Sequence, residues 1–217
     1  MNGELSRALY RETVQGRGVG EAKIQRQVGG SGVYAHVRVA VEALNRGRGN
    51  IFSWDARATI PARFASAVVE GIDDAMKAGV LAGFELTDVH VSVEDGSYHE
   101  EDSTSDAFRE ASHEAVTLAL REAQPLMLEA YSTVRAIVPG KLAAAVQAVM
   151  GLQSGEAVQS QTNLHAITAN IPTPHVEGLI RNLLAVTGGV GQITYSHGGF
   201  RPAAEPAGSG KTRDPVF

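Results

Sequence analysis

The sequence predicts an α+β fold in two domains, and three observations carry that prediction. Residues 33 to 41 and 86 to 93 alternate apolar and polar side chains, the two-residue period of half-buried strands. Between and after them, two longer stretches space their apolar residues at a helical period. Beyond Gln124-Pro125 the chain starts a second, shorter series of strands and helices. A length of 217 residues allows one large domain or two small ones.

In the first strand Val33, Ala35, Val37, Val39 and Val41 face one way, with His36 and Arg38 on the other. The first helix opens at Pro61, a residue suited to a first turn. Phe64, Val68, Ile72 and Ala75 form its stripe, and Gly79 is placed to end it. The next strand sets Val89, Val91 and Val93 against Asp88, His90 and Ser92. Phe52 and Trp54 alternate with polar neighbours and are expected in the core. The second helix starts at Ser103 to Ser105, all competent N-caps. Asp106 and Glu110 favour its early turns, and Phe108, Ala111, Ala115 and Leu118 are its expected buried face.

Gln124-Pro125 ends that helix and marks a domain boundary, giving a first domain over 1–124. The remainder reads as strand 126–138, helix 141–150, strands 156–161 and 164–171, helix 174–186 and strand 191–196. That β-α-β-β-α-β order predicts a ferredoxin-like domain over 125–200. Residues 201–217, rich in Pro, Ala and Gly, read as a disordered tail.

Composition narrows the chemistry. The chain is 43% hydrophobic and 20% charged, ordinary for soluble globular material. It has no cysteine, which excludes disulfides, thiolate zinc sites and cysteine nucleophiles. No apolar run reaches the ~20 residues that cross a bilayer, and no signal peptide opens the chain. A net charge of −5 argues against a nonspecific nucleic-acid binder. The charge is uneven, however. Arg7, Arg11, Arg17, Lys23, Arg26, Arg38, Arg46 and Arg48 crowd the first fifty residues, and acidic residues crowd 94–114. The alternatives are two solvated faces, or a basic strand face that meets phosphate beside an acidic loop.

Two glycine-punctuated loops carry the functional signal. One reads Gln27-Val28-Gly29-Gly30-Ser31-Gly32-Val33-Tyr34-Ala35-His36, the other Asp95-Gly96-Ser97-Tyr98-His99-Glu100-Glu101-Asp102-Ser103-Thr104. Glycines let a backbone approach a partner closely. Tyr and His stack on bases and hydrogen-bond their edges. His99 with its acidic neighbours could be a metal or acid–base site but lacks the second His and the thiol of a metal set, and an acidic surface loop is the plainer reading of these residues. Gly208-Ser209-Gly210-Lys211-Thr212 mimics half of a phosphate-binding loop, but no buried strand precedes it and Asp214-Pro215 blocks a following helix. His165 and His175 are read as strand and loop residues.

These two loops, in this order, resemble the tip loops of the fourth domain of elongation factor G, the ribosomal translocase. Tyr10-Arg11-Glu12-Thr13 resembles that domain's opening strand. Ile60-Pro61, Ala67-Val68, Gly71-Ile72 and Gly79-Val80-Leu81-Ala82-Gly83 resemble its first helix and exit turn. The resemblance implies a ribosomal protein S5 domain 2-like βαβ domain, followed by the ferredoxin-like fifth domain. It implies a C-terminal fragment of a translational GTPase, cytoplasmic and monomeric, without a membrane or DNA partner. The implied partner is the ribosome: rRNA and the tRNA–mRNA duplex at the decoding region. The implied contacts are Gln27, Gly29, Gly30, Ser31 and Gly32 in the first loop, and Tyr98, His99 and Glu100 in the second. No catalytic residue, metal or cofactor is expected in this chain. GTP and Mg belong to the nucleotide-binding domain of the implied parent.

The chain departs from the family at Ser31 for Arg, Val33 for Gln and Ala35 for Gly. Val149-Met150-Gly151 and Gly188-Gly189-Val190-Gly191 replace basic stretches. A lost guanidinium is a lost phosphate ligand. A ribosome-protection protein of the tetracycline-resistance type is therefore an alternative to a translocase, although Gly96-Ser97-Tyr98-His99 favours the translocase. An enzyme on the same scaffold, using the His99 cluster, is a third reading.

Overall fold

A computed structural model describes residues 8–55, 59–151, 158–159 and 163–203, with the backbone alone at Val28, Ser31, Val158 and Gln159. The first sheet contains β2 (Arg17–Val28), β3 (Ser31–Ala43), β4 (Ile51–Trp54) and β5 (Val89–Ser97), in the order β2-β3-β5-β4. β2, β3 and β5 pair antiparallel, whereas β4 lies parallel to β5. A parallel pair needs a crossover, and α1 (Ala65–Ala78) supplies it. With α2 (Ser105–Glu122), this is the S5-type arrangement.

The core follows the alternation of the strands. Ala35, Val37, Val39 and Val41 of β3 are fully buried, as are Val89 and Val93 of β5. Phe64, in the turn before α1, and Val68, Ile72 and Ala75 of α1 lie buried in the same core. Phe64 stacks on Phe108 of α2 with centroids 4.6 Å apart.

Two expected core residues lie outside it. Leu118 is 41% exposed. The buried stripe of α2 runs through Phe108, Ala111, Ala115 and Ala119, and at 100° per residue Leu118 falls about 65° from its centre, beyond Ala111. Phe52 is 43% exposed, because β4 is the edge strand and its outer face is not covered.

The second sheet is built on β6 (Pro125–Pro139). It is followed by α3 (Gly140–Val149), β7 (Val158–Gln159), β8 (Leu164–Pro172), α4 (Val176–Thr187) and β9 (Gln192–Pro202). β6 pairs antiparallel with β8 on one side and β9 on the other, and β8 pairs with β7. This is the ferredoxin-like βαββαβ order. Its core gathers Val134, Ala136, Val138, Val146, Ile167 and Leu183. β9 runs on through Arg201 and Pro202, the first two residues of the expected tail. The tail residues 204–217, with Gly208 to Thr212, lie outside the described residues.

One strand joins the two sheets. β1 (Tyr10–Val14) pairs antiparallel with β6, Tyr10 opposite Glu129 and Val14 opposite Pro125. Its other edge meets the first unit, where Glu12 bridges Leu86. The Glu12 side chain is fully buried. Its carboxylate accepts backbone N–H bonds from Val80, Leu81, Ala82, Gly83 and Phe84 at 2.6–3.1 Å. A carboxylate leaves water only for such a set of donors. The opening strand and the turn after α1 are thus one hydrogen-bonded unit.

Candidate nucleic-acid interface

The first loop is the end of a long hairpin. The β2–β3 register runs from Arg17 opposite Glu42 to Val28 opposite Ser31, which leaves Gly29 and Gly30 as a two-residue turn. Their φ values are +59° and +90°. Two positive φ angles are the demand of a type I′ hairpin turn, and glycine meets it without strain. Nothing lies within 4 Å of where a Cβ would stand on either residue, so this turn is open on its outer side. Tyr34 and His36 belong to β3 rather than to the loop.

The second loop links β5 to α2. The His99 N–H donates to Ser103 Oγ at 2.9 Å, and the Ser103 N–H donates back to the His99 carbonyl at 3.0 Å. Thr104 then caps α2, its hydroxyl accepting from the Ala107 N–H at 3.2 Å. Tyr98 and His99 are left exposed, with the Arg63 guanidinium 5.8 Å from the Tyr98 ring centroid.

The two loops meet. The Tyr34 N–H donates to the Asp102 carbonyl at 2.8 Å. The Tyr34 hydroxyl bonds Ser97 Oγ at 2.8 Å, and its ring centroid is 6.2 Å from that of His99. The Asp102 carboxylate fills the space in front of Gly32, where any side chain would overlap it. His99 Nδ1 lies 3.4 Å from the same carboxylate.

Charges that are separate in sequence are paired in space, which corrects the expectation of a basic face beside an acidic loop. Arg17 binds Glu42 and Glu94 at 2.8 and 2.5 Å. Arg38 reaches Glu94 and Glu21. Arg26 forms a bidentate pair with Glu110 at 2.8 and 2.6 Å. That hydrogen bond, and then the charge of Glu110, raises the Arg26 pKa above its usual value. These arginines are committed to carboxylates. Lys23 differs. Its ammonium lies 5.3 Å over the Tyr34 ring, and it makes no ion pair among the described residues.

Of the residues expected at the interface, Gly29, Gly30, Gly32, His99 and Glu100 are placed in or beside the two joined loops. Gln27 sits opposite Gly32 in the hairpin and is exposed. Ser31 closes the turn, with only its backbone described. His36 is tied to Glu21 at 2.8 Å and Ser97 at 3.1 Å. Gly96 serves the protein's own packing, since a side chain there would overlap Ile60 and the His36 carbonyl. Sequence reasoning missed the organising roles of Tyr34 and Asp102 and the free charge of Lys23. Tyr34 shares the polar face of β3 with His36 and Arg38, and that alternation was a usable signal.

The arrangement offers exposed rings, a bare glycine turn and two cations, Lys23 and Arg63, that make no ion pair among the described residues. Such groups stack on bases and meet phosphate. Among the described residues no group of three His, Asp or Glu could hold a metal, and no helix is long and apolar enough to cross a membrane.

A family profile described as Elongation factor G, domain IV matches residues 7–124. Elongation factor G of Aquifex pyrophilus is 33% identical over 193 residues, covering 87% of this chain and 28% of the relative. An elongation factor G-like protein of Thermotoga maritima is 35% identical over 189 residues, covering 85% of this chain and 28% of the relative. The chain thus spans little more than a quarter of the length of these curated relatives. A crystal structure of a Thermus thermophilus protein superposes with a TM-score of 0.80 at 30% identity, over 90% of this chain and 30% of that one.

Proposed function

The chain belongs to the elongation factor G family, through its domain IV, and from that premise we propose that it binds the ribosome and presents its two joined loops to RNA at the decoding region. There it promotes movement of the tRNA–mRNA duplex by occupying space and making contacts. Gly29 and Gly30 bring bare backbone to the RNA. His99 and Tyr98 supply rings for stacking, and Lys23 supplies a cation near phosphate. Gln27, Ser31, Gly32 and Glu100 flank them.

The observation that carries this reading is the bond from the Tyr34 N–H to the Asp102 carbonyl, at 2.8 Å. It turns two loops far apart in sequence into one interface. No bond-breaking step falls to this chain. GTP hydrolysis, with its Mg, is the task of a separate nucleotide-binding domain, and the setting is the cytoplasm.

Sedimentation with 70S ribosomes tests the proposal. The chain co-sediments at low salt, and the bound fraction falls as salt rises, because phosphate contacts release counterions. Bases near the decoding site become protected from chemical probes. Absence of co-sedimentation at low salt contradicts the proposal.

A further inference from the structure

Lys23 makes no ion pair among the described residues, although a carboxylate stands beside it. Glu21 lies two residues back on β2, so the two side chains point to the same face of the sheet. Their Cα atoms are roughly 7 Å apart, a span that a lysine's flexible stem covers. Elsewhere on this face such proximity ends in pairing: Arg17 is on Glu42 and Glu94, and Arg38 is on Glu94.

The register shows what takes Glu21 instead. Lys23 stands opposite His36 on β3, and Glu21 opposite Arg38. His36 leans diagonally across the pair, with its Nε2 2.8 Å from Glu21 Oε1. Arg38 Nη1 is 3.7 Å from Oε2. Both carboxylate oxygens are therefore turned to β3. The Arg38 contact is long for a charge-assisted bond, and Arg38 is shared with Glu94. The short contact belongs to His36.

His36 is held in turn. Ser97 of β5 pairs with it from the other side. Ser97 Oγ lies 3.1 Å from His36 Nδ1 and 2.8 Å from the Tyr34 hydroxyl. A carboxylate only accepts, so Nε2 donates to Glu21. In the neutral ring Nδ1 then accepts from Ser97, and Ser97 accepts from Tyr34. The same Tyr34 ring carries the Lys23 ammonium, 5.3 Å from its centroid. One chain of bonds thus draws Glu21 away from Lys23 and fixes the ring on which Lys23 rests. The His36 side chain is the link between the two effects.

We propose that His36 is a positioning residue that holds Glu21 off Lys23 and so leaves that ammonium available to phosphate. This rests on the RNA-facing reading of the tip and names what keeps its cation free.

Two readouts test it, one without a ribosome. His36→Thr keeps a good strand former that cannot reach Glu21, and His36→Leu repeats the loss without a hydroxyl. In both, Glu21 turns to Lys23, and the side-chain Nζ and Cε NMR signals of Lys23 shift in the free chain. Adding Glu21→Gln returns them to where Glu21→Gln alone leaves them. On 70S ribosomes, His36→Thr lowers the slope of log affinity on log salt by about 0.7–0.9, the loss of one phosphate contact. The double variant with Glu21→Gln recovers that slope, whereas a residue that merely supports the fold is not rescued by removing a charge at Glu21. Lys23 signals that stay still in both single variants overturn the proposal, as does a lost salt slope that Glu21→Gln fails to restore. Lys23 signals that shift and are rescued, in a chain that binds no ribosome, uphold the positioning and contradict the reading of the tip.

Discussion

Tyr34 and Asp102 are joined by a backbone hydrogen bond of 2.8 Å, from the Tyr34 N–H to the Asp102 carbonyl. Through it the hairpin turn and the loop before α2 hold a fixed relation. Contacts made by Gly29, Gly30 and His99 on a partner are then made by one rigid surface. A preorganised surface loses less conformational entropy on binding than two independent loops.

Gly32→Ala tests the junction. The new methyl group overlaps the Asp102 carboxylate, which must swing away from His99. The expected cost is about 1 kcal/mol, the lower end for an overpacked site. Thermal unfolding measures the loss, and faster exchange of the Tyr34 amide locates it. An unchanged Tyr34 amide shows that the loops do not depend on this contact.

Glu12→Gln tests the strand that joins the sheets. An amide cannot accept five N–H bonds, and its own NH₂ faces donors. Several buried N–H groups lose their partner, at a cost of about 3 kcal/mol or more. The melting temperature should fall by about 10 °C for a chain of this size. A fall of a degree or two indicates that water replaces the carboxylate at little cost.

Lys23→Ala and Arg26→Ala form a pair. Lys23 makes no ion pair among the described residues, whereas Arg26 is held by Glu110. Ribosome binding should weaken in the first, with the slope of log affinity on log salt reduced by about 0.7–0.9. The second should leave binding little changed, and stability within ~1 kcal/mol, as for exposed ion pairs. The reverse ranking shows that Arg26 leaves Glu110 to meet RNA.

His99→Ala should lower ribosome affinity by about 1–3 kcal/mol if its ring stacks on a base. Stability should stay within ~0.5 kcal/mol, since the side chain is 63% exposed. A sharp drop in melting temperature with ribosome binding intact makes His99 a structural residue.

Much of the fold was legible because its buried faces obey simple periods. The alternation of Val37, Val39 and Val41, and the stripe of Phe64, Val68 and Ile72, found their elements directly. β2 was not legible by the same means. It carries Gly18 and Gly20 where a strand normally carries bulk, because an added side chain would overlap the Ala119 and Ala115 carbonyls of α2. Nor could local pattern reveal that β1 pairs with β6, more than a hundred residues away. At the site, composition located both loops but not their junction. The pairing of Arg26 with Glu110 spans 84 residues, so a basic stretch in sequence became a mixed face in space.

The most direct test of the tip uses the absence of cysteine from the sequence. A single Glu100→Cys substitution gives a unique attachment point for an iron chelate on an exposed loop residue. With the tethered chain bound to 70S ribosomes at low salt, hydroxyl radicals should cut rRNA around the decoding region. Cleavage confined to other parts of the ribosome, or none from a chain that co-sediments, contradicts the placement of these loops against RNA at that site.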